Sequence, residues 1–499
     1  VSSFGISGTN AHAIIEQAPA AAPTATAPST LSGPVPLLLS ARGADALRAQ
    51  ARRLAARVAD DPEFDLADLG YSLATSRAAL EHRAAIIAAD HDELRHALDV
   101  LAADGVAASV LRGVVRDETR TAFVFSGQGS QRPGMGRELH ATHPAFARAF
   151  DEVCAELDRH LAGHVDRPVR DVVFAAEDSA DAELVDQTVF TQAGLFAFEV
   201  ALYRLLTGWG LRPDYLIGHS IGELAAAHVA GVLDLADAAA LVAARGRLMQ
   251  ALPSGGAMVS VLAAEADVLE LLDEHVAVAA VNGPQSTVIS GAVDAVNRVA
   301  EELAARGHKT RRLRVSHAFH SPLMEPVLAE FTRIAQGLTF HAPQLPLVSN
   351  LTGRAVTDEV RSAEYWARHV RAAVRFQDGV RWLAGQGVNT FLEIGPDGVA
   401  TAMARDCLDQ SALLVAASRK DRPEPAALIT ALARLHTQGT TLDWAAVFGG
   451  GHRVDLPTYA FQHRRYWLDG QGDTPSGVDS WRYRAVWRQT EEFGRPALA

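Results

Sequence analysis

Apolar positions along the chain fall into blocks of two periods, and the blocks alternate. Val35-Pro36-Leu37-Leu38-Leu39 is a continuous run ending at Ser40, which predicts a short strand. From Ala44 to Ala59, Leu47, Leu54, Ala55 and Val58 recur at helical spacing with arginines between them. Leu66-Leu69-Leu73 and Leu94-Leu98-Leu101 repeat that rhythm on either side of a strand expected at Arg83–Ile87. These blocks predict a small α/β module without clustered reactive groups, so its role is structural. At Thr121 the texture changes. Ala122-Phe123-Val124-Phe125 reads as a buried strand and runs straight into the loop Ser126-Gly127-Gln128-Gly129-Ser130-Gln131. Helices follow at about 144–162 and 191–207, then a strand at Tyr215-Leu216-Ile217, a tight turn, and a helix from Glu223 to Ala230. Leu345–Ser349 and Thr390–Ile394 add strands, and strands alternating with helices imply a mostly parallel sheet. Inside this domain a second rhythm appears: strand 257–262, helix 265–274, strands 275–281 and 286–290, helix 293–305 and strand 309–315. That βαββαβ order is ferredoxin-like. No repeat of fixed period is visible, which disfavours a solenoid.

The N-terminal stretch Val1–Ala18 is a glycine-punctuated loop running into a strand expected at Ala13–Ile15, and Pro19–Pro34 has a linker composition of Ala, Pro, Thr and Ser. The first residue is Val1 and no leader pattern follows it, so the sequence reads as a piece of a longer polypeptide. At ~100–200 residues per domain, 499 residues need more than one core. A hydrophobic share of 48% excludes bulk disorder. The formal net charge of −13 argues against a partner that tracks nucleic-acid phosphates. Cys154 and Cys407 are too few for a disulfide scaffold, which fits a reducing cytoplasm, and no run of 18 uncharged apolar residues predicts a membrane span.

The chemistry concentrates in a few places. Gly218-His219-Ser220-Ile221-Gly222, between a strand and a helix, fits a nucleophile elbow: the glycines permit a sharp backbone and the helix N-terminus offers free N–H groups. The plainer alternative is a tight turn whose serine caps the helix. A serine nucleophile needs a base, and His317-Ala318-Phe319-His320 lies in a loop after the inserted module. A two-histidine metal site is the rival for that pair, although no third ligand stands at metal spacing. Arg245 sits in an otherwise apolar helix and needs a carboxylate partner, from the protein or from a substrate. Glycines on both sides of Gln128 let its backbone N–H approach an oxyanion, and the loop lacks the Lys-Ser/Thr of a phosphate-binding loop.

Together these motifs resemble the acyltransferase domain of a modular type I polyketide synthase, related to malonyl-CoA:acyl-carrier-protein transacylases. The resemblance rests on Phe125–Gln131, the Ser220 motif, Arg245–Gln250, His317–Met324 and Leu392-Glu393-Ile394-Gly395-Pro396, in the family's order. It implies a hydrolase-like parallel α/β core at 117–412 with a ferredoxin-like βαββαβ subdomain at about 255–316. Residues 1–18 resemble the end of a ketosynthase, 19–116 the ketosynthase-to-acyltransferase linker domain, and 413–470 a linker whose segment Leu456–Trp467 returns across that domain. Residues 471–499, with Trp481 to Trp487, resemble the start of a ketoreductase structural half.

The resemblance further implies Ser220 as nucleophile, His320 as base, and the backbone N–H groups of Gln128 and Ile221 as the oxyanion hole. Arg245 would hold the malonyl carboxylate, Gln192 would line the pocket, and carbonyls near Ser349-Asn350 would orient the histidine. Capping is the alternative for Gln192. Malonyl-selective members carry His-Ala-Phe-His where methylmalonyl-selective members carry Tyr-Ala-Ser-His. His317 and Phe319, with Ile221 after the nucleophile where methylmalonyl-selective members tend to carry Gln, therefore imply malonyl-CoA as donor and the phosphopantetheine of an acyl carrier protein as acceptor, with no cofactor or metal bound. The competing functions are a methylmalonyl-selective acyltransferase, a serine hydrolase or thioesterase, and a docking scaffold with a degenerate site.

Overall fold

Five strands form a wholly parallel sheet in the order Leu347–Val348, Tyr215–Gly218, Thr121–Phe125, Thr390–Ile394, Leu413–Ala416. This computed structural model describes residues 1–5, 8, 10–16, 27–61, 63–116 and 118–463. The expectations for the end of the segment Leu456–Trp467, from residue 464 on, and for 471–499 lie outside the described residues. Thr121–Phe125 and Thr390–Ile394 are buried at every position because helices cover both faces of the sheet. Thr188–Gly208 is long and apolar enough to cross a membrane, yet nearly all of it is packed inside the protein, which makes it a core helix. The strand expected at 345–349 shortens to Leu347–Val348, held between Tyr215–Gly218 and a single bridge to Ala355.

The insert is a separate four-stranded antiparallel sheet, ordered Thr310–Arg312, Gly256–Val261, Ser286–Ala292, Val276–Gly283, with its own small core around Val261, Ile289, Val296 and Leu303. In chain order that is fourth, first, third, second, the ferredoxin-like arrangement. Two elements are shorter than their sequence pattern predicts. The helix ends at Leu269, already half-exposed, because the chain must turn back into the strand at Val276. The last strand pairs only over Thr310–Arg312, after which the chain leaves the sheet toward His317.

The N-terminal module is a three-stranded antiparallel sheet, Val35–Ala41, His82–Ala88 and Val110–Val114, packed by helices Ala44–Asp60, Leu66–Ser76 and His91–Ala102. The third strand was not expected, since Val110–Val114 is half-buried and interrupted by Arg112 and Gly113. Gly113 is there for space: a Cβ would collide with the Thr437 carbonyl at the end of helix Glu424–Thr437. The chain then passes along the module. Arg77 donates to the Leu456 and Pro457 carbonyls, Arg53 to the Tyr459 carbonyl, and the Val454 N–H to Ser72 Oγ. At the start, Ser2–Phe4 pairs antiparallel with Asn10–His12. The strand expected at Ala13–Ile15 is absent: the antiparallel hydrogen bonding ends with the pair Val1 and Ala13, and Ile14 and Ile15 remain exposed, since apolar side chains without a ladder partner do not make a strand.

Candidate active site

The strand Tyr215–Gly218 ends at its glycine, and the chain reverses through His219 and Ser220 into helix Ile221–Val229. Ser220 sits at φ 54°, ψ −113°, a conformation costly for a residue with a Cβ. The flanking glycines serve close approach. A Cβ at Gly218 would collide with the Glu223 nitrogen, and one at Gly222 with the Phe125 and Ser126 carbonyls. Ser220, His320 and Asp104 are the non-glycine residues with positive φ among the described residues, and the first two face each other.

Ser220 Oγ lies 2.8 Å from His320 Nε2, and His320 Nδ1 lies 2.8 Å from the Ala372 carbonyl. A carbonyl only accepts, so Nδ1 carries the proton and Nε2 is free to accept from the serine hydroxyl. Burial, reinforced by the Arg245 charge, holds His320 well below the ordinary imidazole pKa, which keeps it a neutral base. Ser220 stands at the N-cap position of its helix, but its hydroxyl caps no helix N–H. The carbonyl expected near Ser349-Asn350 is not the histidine's anchor: the Asn350 carbonyl already accepts from the Arg375 N–H, and Ala372 takes that place.

Arg245 is 2% exposed and donates from Nη2 to Ser220 Oγ at 3.0 Å. Desolvation lowers its pKa to about 10, and the Glu223 carboxylate opposes the shift, so the guanidinium stays charged at neutral pH. No carboxylate lies within ion-pair distance of it among the described residues, and its Nε has no partner. The alternative of an internal salt bridge therefore fails. The N–H groups of Gln128 and Ile221 make no hydrogen bond to the described residues, and Gly127 holds the first of these loops against His219.

His317 and Phe319 are both 6% exposed, on the loop that carries His320. His317 Nε2 pairs with the Leu252 carbonyl at 2.9 Å, and Ser316 Oγ with Thr188 Oγ1 at 2.7 Å, which ties this loop to the turn after helix Leu235–Gln250 and to the start of helix Thr188–Gly208. Gln192 is the fifth residue of helix Thr188–Gly208, so it is no cap; its Nε2 meets Met249 Sδ and its Oε1 is buried without a partner. Among the described residues no three His, Cys, Asp or Glu side chains gather as a metal site. Sequence reading missed what supports this arrangement. Glu393 accepts from Ser126 Oγ and from the Ala400 and Thr401 N–H groups, so it anchors the Gln128 loop to the next helix. His219 Nε2 pairs with Asn282 Oδ1 and links the elbow to the insert. An acid inside the otherwise apolar run Phe391–Ile394 was the available signal for Glu393.

A serine held between a neutral histidine and an unpaired arginine, near free N–H groups, can accept an acyl group that carries a carboxylate. A family model described as acyl transferase domain matches residues 122–442, and one described as CurL-like, PKS C-terminal, matches 36–98. The chain is 53% identical over 484 residues to polyketide synthase GfsA of Streptomyces halstedii, covering 94% of this chain and only 6% of that protein. The solved acyltransferase domain from the second module of the salinomycin polyketide synthase is 52% identical, with a TM-score of 0.72 over 86% of this chain and 99% of that one. The malonyl-CoA:acyl carrier protein transacylase of Xanthomonas oryzae is 35% identical, with a TM-score of 0.55 over 61% of this chain and 96% of that one.

Proposed function

The chain belongs to the acyl transferase domain family, in the branch found in polyketide synthases, and we propose that it moves malonyl units from malonyl-CoA to the phosphopantetheine thiol of an acyl carrier protein. The observation that carries this reading is Ser220 Oγ held at once by His320 Nε2 and by the buried Arg245. His320 takes the hydroxyl proton as Oγ attacks the thioester carbonyl. The N–H groups of Gln128 and Ile221 receive the oxyanion, each such donor being worth ~3 kcal/mol. Coenzyme A leaves as its sulfur regains the proton from His320, and malonyl remains as an ester on Ser220. The carrier thiol then gives its proton to His320 and attacks that ester, and His320 passes the proton to the departing Ser220 Oγ.

Arg245 supplies the preference for a diacid. A buried guanidinium without a carboxylate of its own is completed by the malonyl carboxylate. Phe319, whose ring lies 6.2 Å from that of His317 on the base's own loop, would crowd an α-methyl group. Lost contact alone is worth ~1–3 kcal/mol per methyl, so selection of malonyl over methylmalonyl requires steric exclusion as well. The module at 35–114 and the flanking segments suit a position between a ketosynthase and a ketoreductase, in the cytoplasm. The decisive experiment isolates the acyl-Ser220 protein and exposes it to a carrier protein bearing phosphopantetheine, or to buffer. Rapid transfer to the carrier and slow loss to water are expected. Release of free malonate at the faster rate would identify a thioesterase instead.

A further inference from the structure

The backbone at Ser220 is a demanding conformation for a residue with a Cβ, and something must hold it. A residue at φ 54°, ψ −113° persists only where its surroundings over-determine it. One side chain does so from both sides. Asn350 Oδ1 accepts the Ser220 N–H at 2.7 Å, and Asn350 Nδ2 donates to the Gly218 carbonyl at 2.7 Å. A planar amide bonded at both its ends has no rotational freedom left, and Asn350 is 2% exposed.

Asn350 is itself fixed. Its N–H donates to Glu223 Oε2 at 2.6 Å, and its carbonyl accepts from the Arg375 N–H at 2.8 Å. Glu223, fully buried in the helix that begins at the elbow, receives the Tyr365 hydroxyl on its other oxygen, and Ser349 Oγ lies 2.7 Å from the same hydroxyl. Tyr365 belongs to helix Ala363–Arg371, and the next residue is Ala372, whose carbonyl holds His320 Nδ1. One polar network thus ties the nucleophile's backbone and the base's anchor to the same helix.

We propose that Asn350, locked by Glu223, is a positioning residue: it removes the Ser220 N–H from the oxyanion site and fixes the elbow, leaving the Ile221 and Gln128 N–H groups to face the reacting carbonyl. The proposal rests on Ser220 being the nucleophile, and it holds whichever acyl group is carried. Its test follows labelling of Ser220 by a fluorophosphonate probe, read by mass, in the 499-residue chain and in Asn350→Leu and Asn350→Asp. Leucine keeps the volume and loses both bonds, while aspartate keeps an acceptor for the Ser220 N–H. Asn350→Leu should label about 10²-fold more slowly while its melting transition stays cooperative. With malonyl-CoA its kcat should fall while KM moves by less than about threefold. Asn350→Asp should recover about tenfold of the loss. Wild-type labelling of a folded Asn350→Leu, or an Asn350→Asp no faster than leucine, overturns the proposal. Should Asn350→Leu not fold, Tyr365→Phe removes one bond to Glu223. A rate lowered about two- to fivefold at unchanged KM supports the network, and an unchanged rate counts against it. If the wild-type chain takes the probe but no malonyl group, the functional reading fails and the positioning role stands.

Discussion

A serine hydroxyl attacks a thioester at neutral pH only if a neutral base waits beside it, and His320 meets that condition through burial and the nearby Arg245 charge. Its folded pKa is lowered, so the basic form persists as the pH falls below 6.5. The rate of Ser220 acylation should therefore hold its plateau below pH 6.5 and decline only as His320 finally protonates. A stopped-flow profile with its acid limb centred at or above 6.5 would contradict this environment. Arg245 makes a different prediction. Arg245→Ala removes a charge-assisted bond of roughly 1.5–3 kcal/mol, so the preference for malonyl-CoA over acetyl-CoA should drop by roughly 10–150-fold. Parallel loading rates for the two thioesters check it, and an unchanged ratio would remove Arg245 from substrate recognition.

At the scale of elements, the elbow works because the helix Ile221–Val229 starts in contact with the strand Thr121–Phe125. Gly222 sits where any side chain would strike the Phe125 and Ser126 carbonyls. Gly222→Ala should lower stability by about 1–3 kcal/mol, visible as a reduced melting temperature, and should slow acylation by shifting the Gln128 loop. An alanine variant with wild-type melting and loading would show that this packing has slack. The elbow was legible in the sequence because strand, turn and helix are local, and the insert because its six elements follow one another. The Val110–Val114 strand was not, since its stability comes from pairing with His82–Ala88 and covering by helix Glu424–Thr437, far along the chain. Ala372 as the anchor of His320 was equally invisible: an alanine contributing only its carbonyl leaves no mark in a sequence. Asn350 was noticed for its carbonyl, while its side chain makes the contacts that matter.

At the scale of the whole molecule, burial sets the response to acid. His143, His219, His228 and His320 are lowered by desolvation, and His436 falls to about 3. Below pH 6.5 the unfolded chain binds protons that these folded sites refuse, so stability falls as the pH drops through that window. Asp158, Glu199 and Glu393, raised by burial, act the other way as the pH falls but are fewer. The melting temperature should therefore decrease from pH 7 to pH 5, and a flat or rising trend would contradict the assignment of these histidines as neutral in the fold. The preference of Ser220 for malonyl over methylmalonyl defines the donor. It is tested most directly by mixing the chain with equimolar malonyl-CoA and methylmalonyl-CoA, quenching within one turnover, and weighing the intact protein. The expected result is a malonyl adduct that maps to Ser220 and disappears in Ser220→Ala. A predominant methylmalonyl adduct, or no adduct on folded protein, would contradict it.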